Sequence, residues 1–131
     1  MWLLAKILVI DDEDIVCRSC QRILSADGHE VSTAYSGDEA LGKIENDHFD
    51  VALVDLKIPG SGGLSILRAL RKSSPETMVI VITGYPSIEN AKEAIRLGAF
   101  EFVTKPFVPQ TLRRVVSEVL TCKPWTMQER C

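Results

Sequence analysis

Short apolar runs recur along the chain, and each ends abruptly in polar residues. Lys6-Ile7-Leu8-Val9-Ile10 gives way to Asp11-Asp12-Glu13-Asp14, and Val51-Ala52-Leu53-Val54 to Asp55. Met78-Val79-Ile80-Val81-Ile82 runs into Thr83-Gly84, and Phe100-Glu101-Phe102-Val103-Thr104 into Lys105-Pro106. Runs this short, rich in Val and Ile and bounded by turn residues, predict strands buried on both faces. A weaker, more polar segment, His29 to Ala34, predicts a second strand nearer a sheet edge.

Helical spacing fills the intervals. Glu13 to Ala26 carries Ile15, Val16, Ser19, Cys20, Ile23 and Leu24 on one side, and Gly28 follows as a cap. Ser36 opens a second helix as N-cap with Glu39 three residues on, a capping-box spacing, and Ala40, Leu41 and Ile44 face inward. Leu64 to Lys72 is a third helix, basic in its last turn and closed by Ser73-Ser74-Pro75. Ser87 to Leu97 is a fourth, stopped by Gly98. Gln110 to Thr121 is a fifth, with Leu112, Val115, Val116, Val119 and Leu120 inward and Pro124 beyond it. Pro59 to Gly63 reads as a loop by composition. Strand then helix, five times over, predicts an α/β fold: a doubly wound, five-stranded parallel sheet with helices on both faces and right-handed crossovers.

Composition adds mainly exclusions. A chain of 131 residues is one domain. A net charge of -3 gives no support to nucleic-acid or membrane-surface binding. No apolar run approaches the roughly 20 residues that span a bilayer. Met1 to Lys6 lacks a basic region before its apolar part and a cleavage pattern, so no signal peptide is read and the cytoplasm is the expected location. The cysteines are Cys17, Cys20, Cys122 and Cys131. The Cys17-x-x-Cys20 spacing falls inside a helix rather than at its start, and His29 and His48 are isolated. Free thiols are therefore expected there, rather than a redox pair or half of a zinc site.

In open parallel sheets, ligand chemistry gathers at the carboxyl ends of the strands. Collected there are Asp11 and Asp12 from the first strand, Asp55 from the third, Thr83 from the fourth and Lys105 from the fifth. Each alone has an ordinary explanation: acidic pairs begin helices, a Thr caps, a Lys before Pro is solvated. Together, at the ends of four apolar strands, coincidence accounts for them poorly. Three clustered carboxylates call for a compensating cation, and oxygen ligands without His or Cys suit Mg²⁺. A metal, a lysine and a hydroxyl around one carboxylate suit phosphoryl transfer onto that carboxylate, Asp55.

These motifs make the chain recognisable. Ile7-Leu8-Val9-Ile10-Asp11-Asp12-Glu13, Val54-Asp55-Leu56-Lys57-Ile58-Pro59-Gly60, Val81-Ile82-Thr83-Gly84 and Gly98 through Phe107 resemble the receiver domain of two-component response regulators, from about Lys6 to Leu120. The resemblance implies the strand order 2-1-3-4-5. It assigns residues 1–122 to the receiver and 123–131 to a tail or the start of a linker. It implies that Asp55 is the phosphoacceptor for a sensor histidine kinase, and that Asp11, Asp12, Asp55 and the backbone carbonyl of Lys57 hold Mg²⁺. Thr83 is implied as the switch hydroxyl, Lys105 as the lysine that pairs with the phosphoryl group through a loop with a cis bond to Pro106, and Phe102 as the switch aromatic. Phosphorylation would then change the surface of the fourth helix, fifth strand and fifth helix to regulate an output, expected to be transcription, with a homodimer through that surface among the possibilities. Lys57 and Tyr85, two residues past Asp55 and Thr83, are expected to influence dephosphorylation.

The alternatives differ in chemistry. A stand-alone receiver would act by protein–protein contact. A flavodoxin-like cofactor binder would need a phosphate loop where Asp11 to Asp14 stand, and those carboxylates would repel it. A hydrolase working through an aspartyl phosphate would need loops long enough to enclose a substrate. A receiver reduced to docking would have lost its acidic residues. The reading is of a signalling domain that catalyses only its own phosphotransfer and dephosphorylation.

Overall fold

Ten elements alternate as the hydrophobic pattern implies. They are β1 (Lys6–Ile10), α1 (Asp14–Ala26), β2 (Glu30–Ala34), α2 (Gly37–Asn46), β3 (Val51–Asp55), α3 (Gly63–Ser73), β4 (Met78–Thr83), α4 (Ile88–Arg96), β5 (Glu101–Thr104) and α5 (Pro109–Thr121). The computed structural model describes residues 4–58, 62–84 and 86–122. The expectations for the 59–61 loop, for Tyr85 and for the 123–131 tail lie outside them. Among the described residues no helix is long and apolar enough to cross a membrane.

All four strand pairings are parallel, in the order β2-β1-β3-β4-β5. The polar segment assigned to β2 is thus an edge strand, as its composition implied. Successive side chains alternate between faces. Ile7, Val9, Val51, Leu53, Ile80 and Ile82 pack under α1 and α5. Leu8, Ile10, Ala52, Val54, Val79 and Val81 pack under α2, α3 and Ala94 of α4. The central strands carry apolar residues at successive positions because both of their faces are covered.

Local chemistry sets the helix ends. Ser36 Oγ accepts from Glu39 N at 3.1 Å, while Glu39 Oε1 accepts from Tyr35 N at 2.7 Å. The capping box therefore closes on the residue before the cap. Gly28 follows α1 at φ 95, a left-handed conformation that only glycine adopts cheaply. Ala5 N, just before β1, donates to His29 Nδ1 at 3.0 Å and so ties the start of the sheet to the α1–β2 turn. Burial holds the His29 imidazole below its ordinary pKa, against a smaller opposing effect of Asp27.

α3 begins one residue before the expected Leu64, and the reason is a close approach. A Cβ on Gly63 would lie 2.4 Å from Leu56 Cα and 2.6 Å from the Asp55 carbonyl oxygen. The helix rests its first turn directly on the backbone that leaves β3.

α1 corrects one expectation. Ile15 does not face the core; it is 74% exposed. Cys17, Cys20 and Leu24 make the buried seam instead, with Val16 and Ile23 packed at its margin. The i, i+3, i+7 row through Cys17 points at the sheet, and Ile15 lies to one side of it. Cys17 and Cys20 are free, as expected. Burial pushes their thiols up to about 11 and about 12, so neither is a reactive thiolate at neutral pH. In α5, by contrast, all five residues expected inward are buried.

Candidate functional site

The register brings the site together. Ile10 of β1 lies level with Val54 of β3, so Asp11 and Asp55, each one residue further on, finish side by side. Asp55 is level with Ile82 of β4, which puts Thr83 one step beyond it on the neighbouring strand. Thr83 is level with Thr104, and Lys105 follows at once. Strand length alone thus carries four side chains to one rim.

Asp11, Asp55 and Thr83 are buried, while Asp12 is exposed. Carboxylate oxygens of Asp11, Asp12 and Asp55 all lie within 4.8 Å of one another. Lys105 Nζ lies 2.7 Å from Asp11 Oδ2, 2.8 Å from Glu13 Oε1 and 3.0 Å from Asp55 Oδ2. Its peptide bond to Pro106 is cis. Backbone amides take the remaining oxygens. Glu13 N donates to Asp11 Oδ1 at 2.9 Å, and Lys57 N to Asp55 Oδ1 at 3.0 Å. From below, Cys17 Sγ donates to the Asp11 carbonyl at 3.2 Å.

The charges do not balance. Four carboxylates gather around the Lys105 ammonium, which three of them share. Burial raises the Asp11 pKa, as does the Asp55 charge, against the opposing pull of Lys105 and the Glu13 amide. Burial works against the Lys105 charge too, but Asp11, Glu13 and Asp55 outweigh it and hold the ammonium protonated well above its ordinary range. Asp11 Oδ2 is buried and accepts no well-aligned hydrogen bond although Lys105 is close. Such a rim has room, in charge terms, for a second cation bound by oxygen.

Phe102 is not part of this cluster. It is half-buried in β5 and packs with the α2–α3 side of the core. Beside it a shallow groove of about 410 Å³ runs along β5 and α5. Two features went unread in the sequence. One is the contact of Glu13 with Lys105, which spans 92 residues. The other is a larger groove of about 680 Å³ that opens from Lys105 and Gly84 between Ile15, Val16, Ile23 and Phe107. Its only sequence signal was an isoleucine placed off the buried row of α1.

Comparison with known proteins places these features in a wider set. The family model for the response regulator receiver domain matches residues 7–117. The regulatory protein AtoC of Escherichia coli is 37% identical over 120 residues, 92% of this chain and 26% of that protein. The uncharacterized transcriptional regulatory protein YkoG of Bacillus subtilis is 34% identical over 110 residues, 83% of this chain and 48% of that protein. The chain thus spans between a quarter and a half of these two curated relatives. A CheY-like receiver domain protein from Methanospirillum hungatei superposes with a TM-score of 0.88 at 35% identity, covering 97% of this chain and 99% of the other. NtrX from Brucella abortus superposes at 0.87 with 35% identity, covering 98% of this chain and 29% of that one.

Proposed function

The chain belongs to the response regulator receiver domain family, and on that premise we propose that it is a phosphorylation-activated switch whose phosphoacceptor is Asp55. One observation carries the reading: Asp55 Oδ2 meets Lys105 Nζ at 3.0 Å, at the buried end of β3 and beside the Asp11 and Asp12 carboxylates. A carboxylate fixed at a strand end is a placed nucleophile, and the ammonium beside it offsets charge on an incoming phosphoryl group.

The donor is a phosphohistidine of a sensor kinase. An Asp55 oxygen attacks phosphorus and a P–O bond forms. The P–N bond breaks, and its electron pair returns to the imidazole, which takes a proton from solvent. Lys105 steadies the phosphoryl oxygens, and the Thr83 hydroxyl donates to one of them. The groove beside Lys105 suits the donor's approach, because exposed Ile15 and the apolar wall around Phe107 lead to Lys105, which pairs with Asp55.

The oxygen-only donor set and the poorly satisfied Asp11 Oδ2 fit Mg²⁺. Asp11, Asp12, Asp55 and the Lys57 carbonyl would hold it. When bound, it supplies positive charge against the phosphoryl oxygens.

Phosphorylation adds charge and acceptor oxygens at Asp55. Thr83 is drawn toward them, Phe102 turns inward, and the α4–β5–α5 surface changes. The shift is as large as the preference of the phosphoryl group for one state over the other. Exposed Ile88, Ile95 and Val108 on or beside that surface would be covered by a second copy or an output partner. The name of YkoG, a transcriptional regulatory protein, supports transcription as the output.

Intact mass after incubation with acetyl phosphate and Mg²⁺ tests the reading. One labile phosphoryl adduct is expected, absent in Asp55→Asn and absent without metal. An adduct of equal yield in Asp55→Asn would overturn the assignment.

A further inference from the structure

Glu13 stands where α1 begins, and its side chain does not serve the helix. Its backbone is extended at φ -90 and ψ 114, as an N-cap's is, yet its carboxylate makes no cap hydrogen bond. Glutamate is also a poor choice for that position, where Ser, Thr, Asp or Asn would cap the first amides. The carboxylate instead crosses the mouth of the site and takes Lys105 Nζ at 2.8 Å. A position that forgoes a local stabilisation has its side chain committed elsewhere.

The other two partners of Lys105, Asp11 and Asp55, belong to the carboxylate group whose oxygens lie within 4.8 Å. A divalent cation entering that group competes with Lys105 for both. Glu13 lies outside the group and on the groove side, where its side chain is 57% exposed. It offers the ammonium an ion pair that survives when Asp11 and Asp55 turn to a metal.

We propose that Glu13 is a positioning residue that seats Lys105 at the groove side of the carboxylates and so frees Asp11 and Asp55 for a divalent cation. The inference rests on the cation site proposed above. Without Glu13, Lys105 has only Asp11 and Asp55 among the described residues, and each must be taken from it before metal can bind.

The test is calorimetric titration with Mg²⁺ alone, on the whole chain, for wild type, Glu13→Gln, Glu13→Asp and Asp14→Asn, with thermal stability measured beside it. Glu13→Gln is expected to weaken Mg²⁺ binding by about threefold to fivefold, the scale of one partly exposed ion pair. Glu13→Asp keeps the charge, loses the reach to Lys105 and gains a capping side chain. It is therefore expected to weaken Mg²⁺ binding by a similar factor while its melting temperature holds or rises, a combination that a purely structural role would not give. Asp14→Asn removes a neighbouring charge that pairs with Arg18, and is expected to bind as wild type does. The side-chain ¹⁵Nζ resonance of Lys105 is expected to shift in both Glu13 variants before metal is added. Wild-type affinity in Glu13→Gln would overturn the proposal. Wild-type affinity in Glu13→Asp would too, since charge alone would then suffice. Failure of wild type itself to bind Mg²⁺ would remove the cation site, and this proposal with it.

Discussion

Gly63 is the sharpest point at which fold and site depend on one hydrogen atom. In Gly63→Ala the new methyl carbon would sit 2.4 Å from Leu56 Cα and 2.6 Å from the Asp55 carbonyl oxygen. Carbon atoms rest at about 3.5–4.0 Å, so one side must retreat by about 1 Å. Both obstacles are backbone, and no rotamer change relieves them. The retreat falls on α3, which buries Ile66, Leu67 and Leu70, or on the segment that carries Asp55. A gap of up to about 1 Å under those side chains forfeits a quarter to a half of their contact energy. Overpacking costs about 1–3 kcal/mol in general, and a backbone clash belongs at the upper end, so about 3 kcal/mol is expected. Gly62 is one residue away but differs in kind. A Cβ there meets nothing within 4 Å, and only its φ of 80 penalises a side chain, by about 1 kcal/mol. Gly42, inside α2 with nothing within 4 Å, should gain about 0.5–1 kcal/mol as Ala. Urea denaturation of the three variants should give that order with similar m-values, and where the retreat falls on the Asp55 segment Gly63→Ala should also lose Mg²⁺ affinity. A Gly63→Ala protein within about 0.5 kcal/mol of wild type, on a scale where surface changes fall in that range, would refute the close-approach argument.

Two further outcomes follow from the charges. Lys105→Met leaves buried Asp11 and Asp55 without their shared ammonium, and a loss of about 1–3 kcal/mol is expected at pH 7.5. Burial already raises the Asp11 pKa in the folded state. The variant should therefore regain stability as pH falls through the folded pKa of Asp11; a constant difference down to pH 4 would speak against the reading. In wild type the Lys105 contribution is present below its unfolded value of 10.5 and is lost only as pH rises through its higher folded value. His29 carries the opposite sign. Its folded pKa is depressed because burial and the bond from Ala5 N both favour neutral imidazole. Its contribution is whole above its unfolded pKa of 6.5 and is lost as pH falls from there through the folded value. Urea midpoints between pH 7.5 and 5 should fall more steeply for wild type than for His29→Ala, and parallel curves would contradict this.

The sheet and α5 were legible because each signal repeats over several residues. Five apolar positions of α5 fall on one face, and the runs in β1, β3 and β4 are too continuous for anything but buried strands. The carboxylates were legible because each stands immediately after such a run. What escaped was decided by tertiary geometry. Ile15 and Cys17 are two residues apart in one helix, and only the direction in which α1 crosses the sheet says which is buried. Gly63 looked like one of several loop glycines until the backbone of Leu56 was found beneath it. Glu13 reads in the sequence only as the start of the first helix, and its lysine lies 92 residues away.

That separation also bears on how the chain is made. Lys105 lies 50 residues beyond Asp55 and 92 beyond Glu13, on the loop after the last strand. A nascent chain leaves the ribosome with β1, β2 and β3 available while the lysine that relieves their carboxylates is still unsynthesised. Until β5 emerges, β4 is an open edge and the acidic rim lacks its built-in counterion. Completion of β5 then covers the β4 edge, and Lys105 directly after it offsets part of the charge of the four carboxylates. Metal present during synthesis would act on the same rim earlier, as a stand-in for a lysine that does not yet exist.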